Sequence, residues 1–181
     1  MRFRMLSRIA MTAAMVIGAA VASTPTDADL AKSVRHEVLM YPRYTMWDNI
    51  NFKVDNGNVE LSGEVTQPFK KQDLGKIVHG IPGVTSVTND LKVLPLSSFD
   101  DRLRWQVARA IYSDPTLSRY AMGAVPAIHI IVDNGHVTLT GQVNNQTEKQ
   151  IAGIRAAGAG LGFGSVVNNL SVEQPAKAKK S

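Results

Sequence analysis

The 181-residue chain contains no cysteine. It therefore has no disulfide, no thiol nucleophile and no thiolate metal ligand. A lipid-modified cysteine behind a leader is excluded for the same reason. The longest apolar run, Ile9 to Val21, is shorter than the roughly 20 residues that a helix needs to cross a bilayer.

A strong excess of positive charge is also missing from the body of the chain. The formal net charge is +5, but Arg2, Arg4 and Arg8 supply three of those charges. The lysines near the C-terminus, at 177, 179 and 180, account for more than the other two. The region between carries about one net negative charge, which does not favour nucleic-acid binding.

The first 22 residues have the pattern of a secretory signal peptide. Arginines at 2, 4 and 8 precede the apolar run, and Ala20-Val21-Ala22 fits the small-x-small cleavage rule. We expect cleavage before Ser23 and export to the periplasm, with peripheral attachment to a membrane as a further option. An uncleaved membrane anchor is the alternative.

One twelve-residue stretch occurs twice, at 54–65 and at 132–143. Eight of the twelve positions are identical: the Val-Asp-Asn-Gly opening, then Val, Leu, Gly and Val. Alternating apolar residues predict strands with one buried face. Asn-Gly predicts a two-residue type I′ hairpin turn, because both central residues of that turn need a positive φ. The predicted turn and bulge residues are Asn56, Gly57 and Gly63 in the first copy and Asn134, Gly135 and Gly141 in the second.

The residues around the first hairpin predict three further elements. Leu30, Val34 and Val38 form the apolar stripe of a helix from about Asp27 to Met40. A second helix is expected to begin at Thr66, with Pro68 in its first turn. The residues from 84 to 93 alternate as a third strand.

The second copy repeats this order, with its first helix at 100–112. We therefore predict an α+β fold of two α-β-β-α-β repeats, each a three-stranded mixed sheet covered by two helices. The expected boundaries are a first domain at 27–94, a second at 99–173 and a disordered basic tail at 174–181.

The two hairpins and the Gly-Val-x-x-Val-x-Asn-x-Leu-x-Val ending at 83–93 resemble tandem BON-domain proteins of the osmotically inducible periplasmic kind. The resemblance covers the chain between leader and tail, with Phe163 replacing a valine in the second copy. It implies a non-enzymatic binding module of the bacterial envelope, proposed to attach to phospholipid. In some lipoprotein relatives the first helix of the second domain contacts anionic lipid.

No pattern in the chain predicts a catalytic, metal or cofactor site. None of the four histidines (His36, His79, His129, His136) has a partner at metal-ligand spacing on a helix. The glycine-rich run at 158–164 lacks a Gly-Lys-Ser/Thr ending and leads into a strand, so it does not fit a phosphate-binding loop. We expect no enzyme activity, no cofactor, no small-molecule substrate and no nucleic-acid partner.

The helix at 100–112 is the candidate binding surface. Its core stripe is Leu103, Val107 and Ile111, which leaves aromatic and basic residues for the outer face. Tryptophan, tyrosine and arginine together suit a membrane interface, but they also suit a protein interface. The predicted lipid- or partner-binding residues are Arg102, Arg104, Trp105, Arg109 and Tyr112 on the helix, and Arg119 and Tyr120 in the loop that follows.

Two functions therefore stay open at this point. The first is peripheral binding to anionic phospholipid, in support of envelope integrity under osmotic or other stress. The second is a protein-interaction or chaperone-like role with an envelope protein as partner. A third possibility is structural, in which Trp105 and Tyr112 pack against the other domain.

Overall fold

The structure is a computed structural model that describes residues 25–123, 125–159 and 164–173. The predicted leader (1–22), the predicted tail (174–181) and the centre of the glycine-rich run (160–163) lie outside the described residues. Within the described ranges, no helix is long and apolar enough to cross a membrane.

Two units of the same order follow one another along the chain. The first comprises α1 (Asp27–Met40), β1 (Asn49–Asp55), β2 (Asn58–Val65), α2 (Pro68–His79), β3 (Ser86–Asn89) and β4 (Lys92–Val93). The second comprises α3 (Ser98–Tyr112), a short 3₁₀ helix (Ser118–Ala121), β5 (Ile128–Asp133), β6 (His136–Val143), α4 (Gln146–Ala159), β7 (Val166–Asn168) and β8 (Ser171–Val172). The predicted α+β repeat fold is confirmed.

Each unit contains one mixed sheet with its hairpin at one edge. β1 pairs antiparallel with β2, and β3 and β4 both pair parallel with β2. The second sheet has the same order and register. The predicted third strand is therefore interrupted, because the side chain of Asn89 accepts the Leu91 N–H (3.4 Å) and donates to the carbonyl of Lys71 on α2 (2.7 Å). Asn168 makes the equivalent bonds to Leu170 and Lys149.

The helices of each unit bury one face of its sheet. In the first unit, the predicted stripe of α1 packs with Leu61 of β2 and Leu74 of α2. In the second, the stripe of α3 packs with Leu139 of β6 and Ala152 of α4. Each unit thus has its own apolar core, as a small domain needs for stability.

A carboxylate from the first helix binds the hairpin turn in both units. Asn56 and Asn134 have φ values of 49° and 50°, in the left-handed region that the type I′ turn requires. In the first unit, the two turn amides of Asn56 and Gly57 donate to the carboxylate of Asp27 at 2.8 and 3.0 Å. In the second, the amides of Asn134 and Gly135 donate to Asp100 at 3.0 and 2.8 Å. We call this contact the turn clamp.

The glycine in the second strand of each hairpin permits a close backbone approach. A Cβ on Gly63 would lie 2.1 Å from the carbonyl oxygen of Asn49, and one on Gly141 would lie 2.0 Å from that of Ala127. Their φ values of 112° and 108° also favour glycine. Backbone geometry therefore requires glycine at this position in both copies of the repeat.

The predicted start of α2 at Thr66 is corrected to Pro68. The backbone N–H and hydroxyl of Thr66 both donate to the buried carboxylate of Asp48, at 2.9 and 3.0 Å. Asp48 also pairs with Lys70 at 2.6 Å. Thr66 thus satisfies a buried charge before the helix begins.

We predict that Asp100→Asn destabilises the second unit by about 2 kcal/mol. The asparagine side chain is uncharged and has only one oxygen to accept the N–H groups of Asn134 and Gly135. Asp100 is 1% exposed. Urea denaturation would measure the loss. Asp90→Asn is the matched control, since Asp90 is exposed. Equal stability of the two variants would contradict a structural role for the turn clamp.

Candidate functional site

The candidate surface lies on α3, which has clear sequence signals at both ends. The hydroxyl of Ser97 accepts the Asp100 N–H at 3.2 Å and so caps the helix, while Arg109 lies in the last turn. A cap and a basic C-terminal turn both stabilise a helix. The core stripe then fixes which residues face solvent.

Three predicted residues share the outer face of α3. Arg102, Trp105 and Arg109 are all exposed, and they follow one another at helical spacings of three and four residues. Trp105 keeps 61% of its surface accessible. Neither arginine forms an ion pair with any residue that the structure describes. This face therefore combines one accessible indole with two available guanidinium groups.

Two other predicted residues on α3 are not on this face, and their placement there was wrong. Arg104 is 6% exposed; it donates to the carbonyl of Val132 at 2.8 Å and pairs with Asp101 at 2.5 Å. The hydroxyl of Tyr112 donates to the carbonyl of Ile128 at 2.6 Å. Both side chains extend from the helix to the edge of β5, where they hydrogen-bond the backbone of that strand.

The loop residues Arg119 and Tyr120 also have structural partners. Glu148 of α4 is 4% exposed and accepts bonds from the Tyr120 hydroxyl (2.5 Å) and from Arg119. The pKa of Glu148 lies below its ordinary value: burial raises it, but the bonds from Tyr120 and the charge of Arg119 outweigh that effect. Tyr120 is buried and does not lie on an exposed face with the other predicted residues, whereas Arg119 remains half exposed.

The first unit contributes residues that the sequence did not indicate. Trp47, from the loop between α1 and β1, contacts Trp105 edge to face with ring centroids 5.1 Å apart. Leu96 of the linker is 88% exposed and lines a groove of about 180 Å³ together with both tryptophans. The two tryptophans, Leu96, Arg102 and Arg109 together form what we call the tryptophan surface. Trp105 thus contacts the other unit, as the structural alternative required, and still remains accessible.

The loop that carries Trp47 also joins the two units. The Ile130 N–H donates to the carbonyl of Met46 at 2.8 Å, and Nδ1 of His129 donates to the carbonyl of Asp48 at 2.6 Å. The ring of Tyr44 stacks on that of His129, with ring centroids 5.4 Å apart. Lys92 and Asp133 form an ion pair at 2.5 Å across the same junction. The only sequence signal for this contact was the presence of large apolar residues in a loop.

Known proteins provide a separate comparison. A family model described as "BON domain" matches residues 26–95 and 100–174. No curated protein sequence matches the chain.

Two solved structures show limited similarity. One is of CdsD, a structural protein of the type III secretion system of Chlamydia trachomatis; it is 17% identical over 82% of this chain and 94% of that chain, with a TM-score of 0.29. The other is of the C-terminal domain of CdsD; it is 15% identical over 83% of this chain and 100% of that chain, also with a TM-score of 0.29.

We predict that the stability of the protein falls on mild acidification because of His129. Burial lowers the pKa of this imidazole below 6.5, although the carbonyl and charge of Asp48 oppose the shift. The unfolded chain therefore takes up the proton first, and stability that is present above about pH 6.5 is lost as the pH falls through the folded pKa.

Urea denaturation at several pH values between about 7.5 and 5 would measure this loss. His129→Gln is the control, because its amide can still donate to the carbonyl of Asp48 but does not titrate. The pH dependence of the variant is expected to be flatter over this window. Parallel curves for the two proteins would show that another group is responsible.

Proposed function

Because the chain belongs to the BON-domain family, we propose that it is a non-enzymatic envelope protein that binds anionic phospholipid through the tryptophan surface. BON domains are linked to phospholipid binding and to proteins of the envelope and of osmotic stress. The observation that carries the proposal is the accessible Trp105 between two arginines that form no ion pair with the described residues.

The chemistry of this surface matches a lipid headgroup region. Indole rings partition to the membrane interface, where one edge is apolar and the other is hydrated. Guanidinium groups bind phosphate through two parallel hydrogen bonds. Leu96 and Trp105 supply exposed apolar area beside these charges. The surface can therefore take up both parts of a phospholipid interface without a membrane-spanning segment.

The first unit does not duplicate this surface. At the positions of Trp105 and Arg109, α1 carries Lys32 and His36. It therefore lacks the indole between two arginines. The second unit is thus the one that contacts lipid in this proposal, and the first contributes through Trp47.

We propose further that the protein reaches the envelope by cleavage after Ala22. The intact mass of protein recovered from the envelope of a bacterial host is expected to correspond to residues 23–181. Protein that keeps residues 1–22 and sediments with membranes would instead indicate an uncleaved anchor. A matched sample in which Ala20 and Ala22 are both changed to leucine should keep the leader, since cleavage needs small residues there.

We predict that the double variant Arg102→Glu/Arg109→Glu weakens binding to anionic vesicles by at least about thirtyfold, because each lost basic charge near such a surface is worth about 1 kcal/mol. Cosedimentation with phosphatidylglycerol vesicles would measure it. Arg104 stays unchanged in this variant, since its substitution would leave the Val132 carbonyl and Asp101 without their partner.

The control is Lys53→Glu/Lys76→Glu, which makes the same change in net charge at two exposed positions of the first unit. It should bind nearly as well as the parent protein. Binding of the parent should also weaken at high salt and be lost on zwitterionic vesicles. Equal binding of both double variants would refute the assigned surface, and binding that is indifferent to lipid charge would favour a protein partner.

A further inference from the structure

The two units differ at one edge of their sheets. β1 and β5 are the edge strands, and both pair with the next strand in the same register: Phe52 lies opposite Leu61, and Ile130 lies opposite Leu139. In an antiparallel edge strand, every second residue directs its N–H and C=O away from the sheet. These outward groups are free to bond with another chain unless something covers them.

The edge of β5 is closed by three hydrogen bonds. The Tyr112 hydroxyl donates to the carbonyl of Ile128 (2.6 Å), and the Arg104 guanidinium donates to that of Val132 (2.8 Å). Between them, the Ile130 N–H donates to Met46 of the first unit (2.8 Å). The edge of the second sheet is therefore covered by α3 and by the loop of the first unit that contains Met46.

None of the residues that the structure describes covers the edge of β1 in this way. The equivalent outward residues are Ile50, Phe52 and Val54, and their outward groups form no hydrogen bond with the part of the chain that the structure describes. The reason lies in α1: Ala31 stands where α3 has Arg104, and Leu39 stands where α3 has Tyr112. Alanine and leucine have no donor to offer these carbonyls.

A groove runs along this open edge. It has a volume of about 320 Å³ and is lined by Ala31, Lys32, Arg35, Ile50, Asn51 and Phe52. A second groove of about 660 Å³ shares Arg35, Ile50 and Asn51 with it and continues toward the second unit. Together the two grooves lie beside residues 49–52 of β1.

We propose that the edge of β1 accepts an extended, acidic segment of a partner polypeptide, which adds to the first sheet as a further strand. Main-chain hydrogen bonds would provide the affinity, as in other strand-addition complexes. The bond from the Ile130 N–H to the Met46 carbonyl is a single main-chain contact of this kind on the edge of β5. The proposal goes beyond lipid binding and does not depend on it.

The basic residues beside the edge favour an acidic partner segment. Arg35 lines the groove and Lys53 is exposed on β1, and neither forms an ion pair with the described residues, whereas Lys32 in the groove is paired with the exposed Asp29 at 3.3 Å. The two ends of this chain, with arginines at 2, 4 and 8 and lysines at 177, 179 and 180, carry the same sign. An acidic segment from another protein satisfies both the main chain and the charges.

The test transfers the closed edge of the second unit to the first. In Ala31→Arg/Leu39→Tyr, the new side chains are placed to bond the carbonyls of Val54 and Ile50, as Arg104 and Tyr112 do on β5. The control, Ser33→Arg, adds the same charge at an exposed position on the opposite side of α1. Because the double variant is more basic than the parent protein, weaker binding of an acidic peptide could not come from charge.

The probe is a labelled peptide of the length of β1, seven residues, that alternates valine with glutamate and threonine. Fluorescence anisotropy would measure its binding to the full protein without lipid. We expect the double variant to bind at least about tenfold more weakly than the parent and Ser33→Arg to bind as well or better. A peptide methylated on alternate backbone nitrogens should lose binding to a similar extent. Hydrogen exchange should show protection of the Phe52 amide by the unmethylated peptide.

Three results would overturn the proposal. One is no binding of the unmethylated acidic peptide up to millimolar concentration. Another is equal binding by the parent and the double variant, whose fold circular dichroism would verify. The third is binding that is unchanged by N-methylation, since that would show that side chains alone carry the contact.

Discussion

The turn clamp is the contact on which each unit depends. The type I′ turn leaves two adjacent backbone amides pointing outward, and Asp27 or Asp100 accepts both of them from the start of the preceding helix. One carboxylate therefore fixes the position of the start of the helix relative to the hairpin turn. With that position set, the core stripe of the helix meets the apolar face of the second strand, and α2 or α4 closes the remaining side. The Asn-Gly shared by the two hairpins follows from this geometry, because the turn and the carboxylate that accepts its amides must be present together.

Local signals in the sequence were enough to predict most of the fold. Asn-Gly turns, alternating strands and the stripes of α1 and α3 are set by residues near one another in sequence, so the order of elements was readable. The interruption of the third strand at Asn89 was not, because it comes from a side chain that bonds α2 rather than the sheet. The start of α2 was missed for a similar reason: Thr66 is held by Asp48, which is distant in sequence.

The candidate site was less predictable, because a helical projection gives the direction of a Cα–Cβ bond but not the destination of a long side chain. Trp105 and Arg109 stay on the outer face. Arg104 and Tyr112 instead extend to backbone carbonyls at the edge of β5. Each donates a hydrogen bond to a carbonyl that no neighbouring strand bonds in the described part of the chain. The contribution of Trp47 depends on how the two units meet, and no short-range pattern encodes that contact.

The first helix of each unit carries the substitutions that distinguish the two proposed surfaces. Exchanging Ala31 and Leu39 for Arg104 and Tyr112 changes an open strand edge into a closed one, while exchanging Lys32 for Trp105 adds the indole of the tryptophan surface. These substitutions leave the core stripes intact, so the two units keep the same fold while their surfaces differ. An edge that is open to polypeptide on one unit and a face suited to lipid on the other are compatible, since they lie on different elements. In the two proposals, the repeat provides two binding surfaces from one folding pattern, and the closed edge of β5 would restrict strand addition to the first unit.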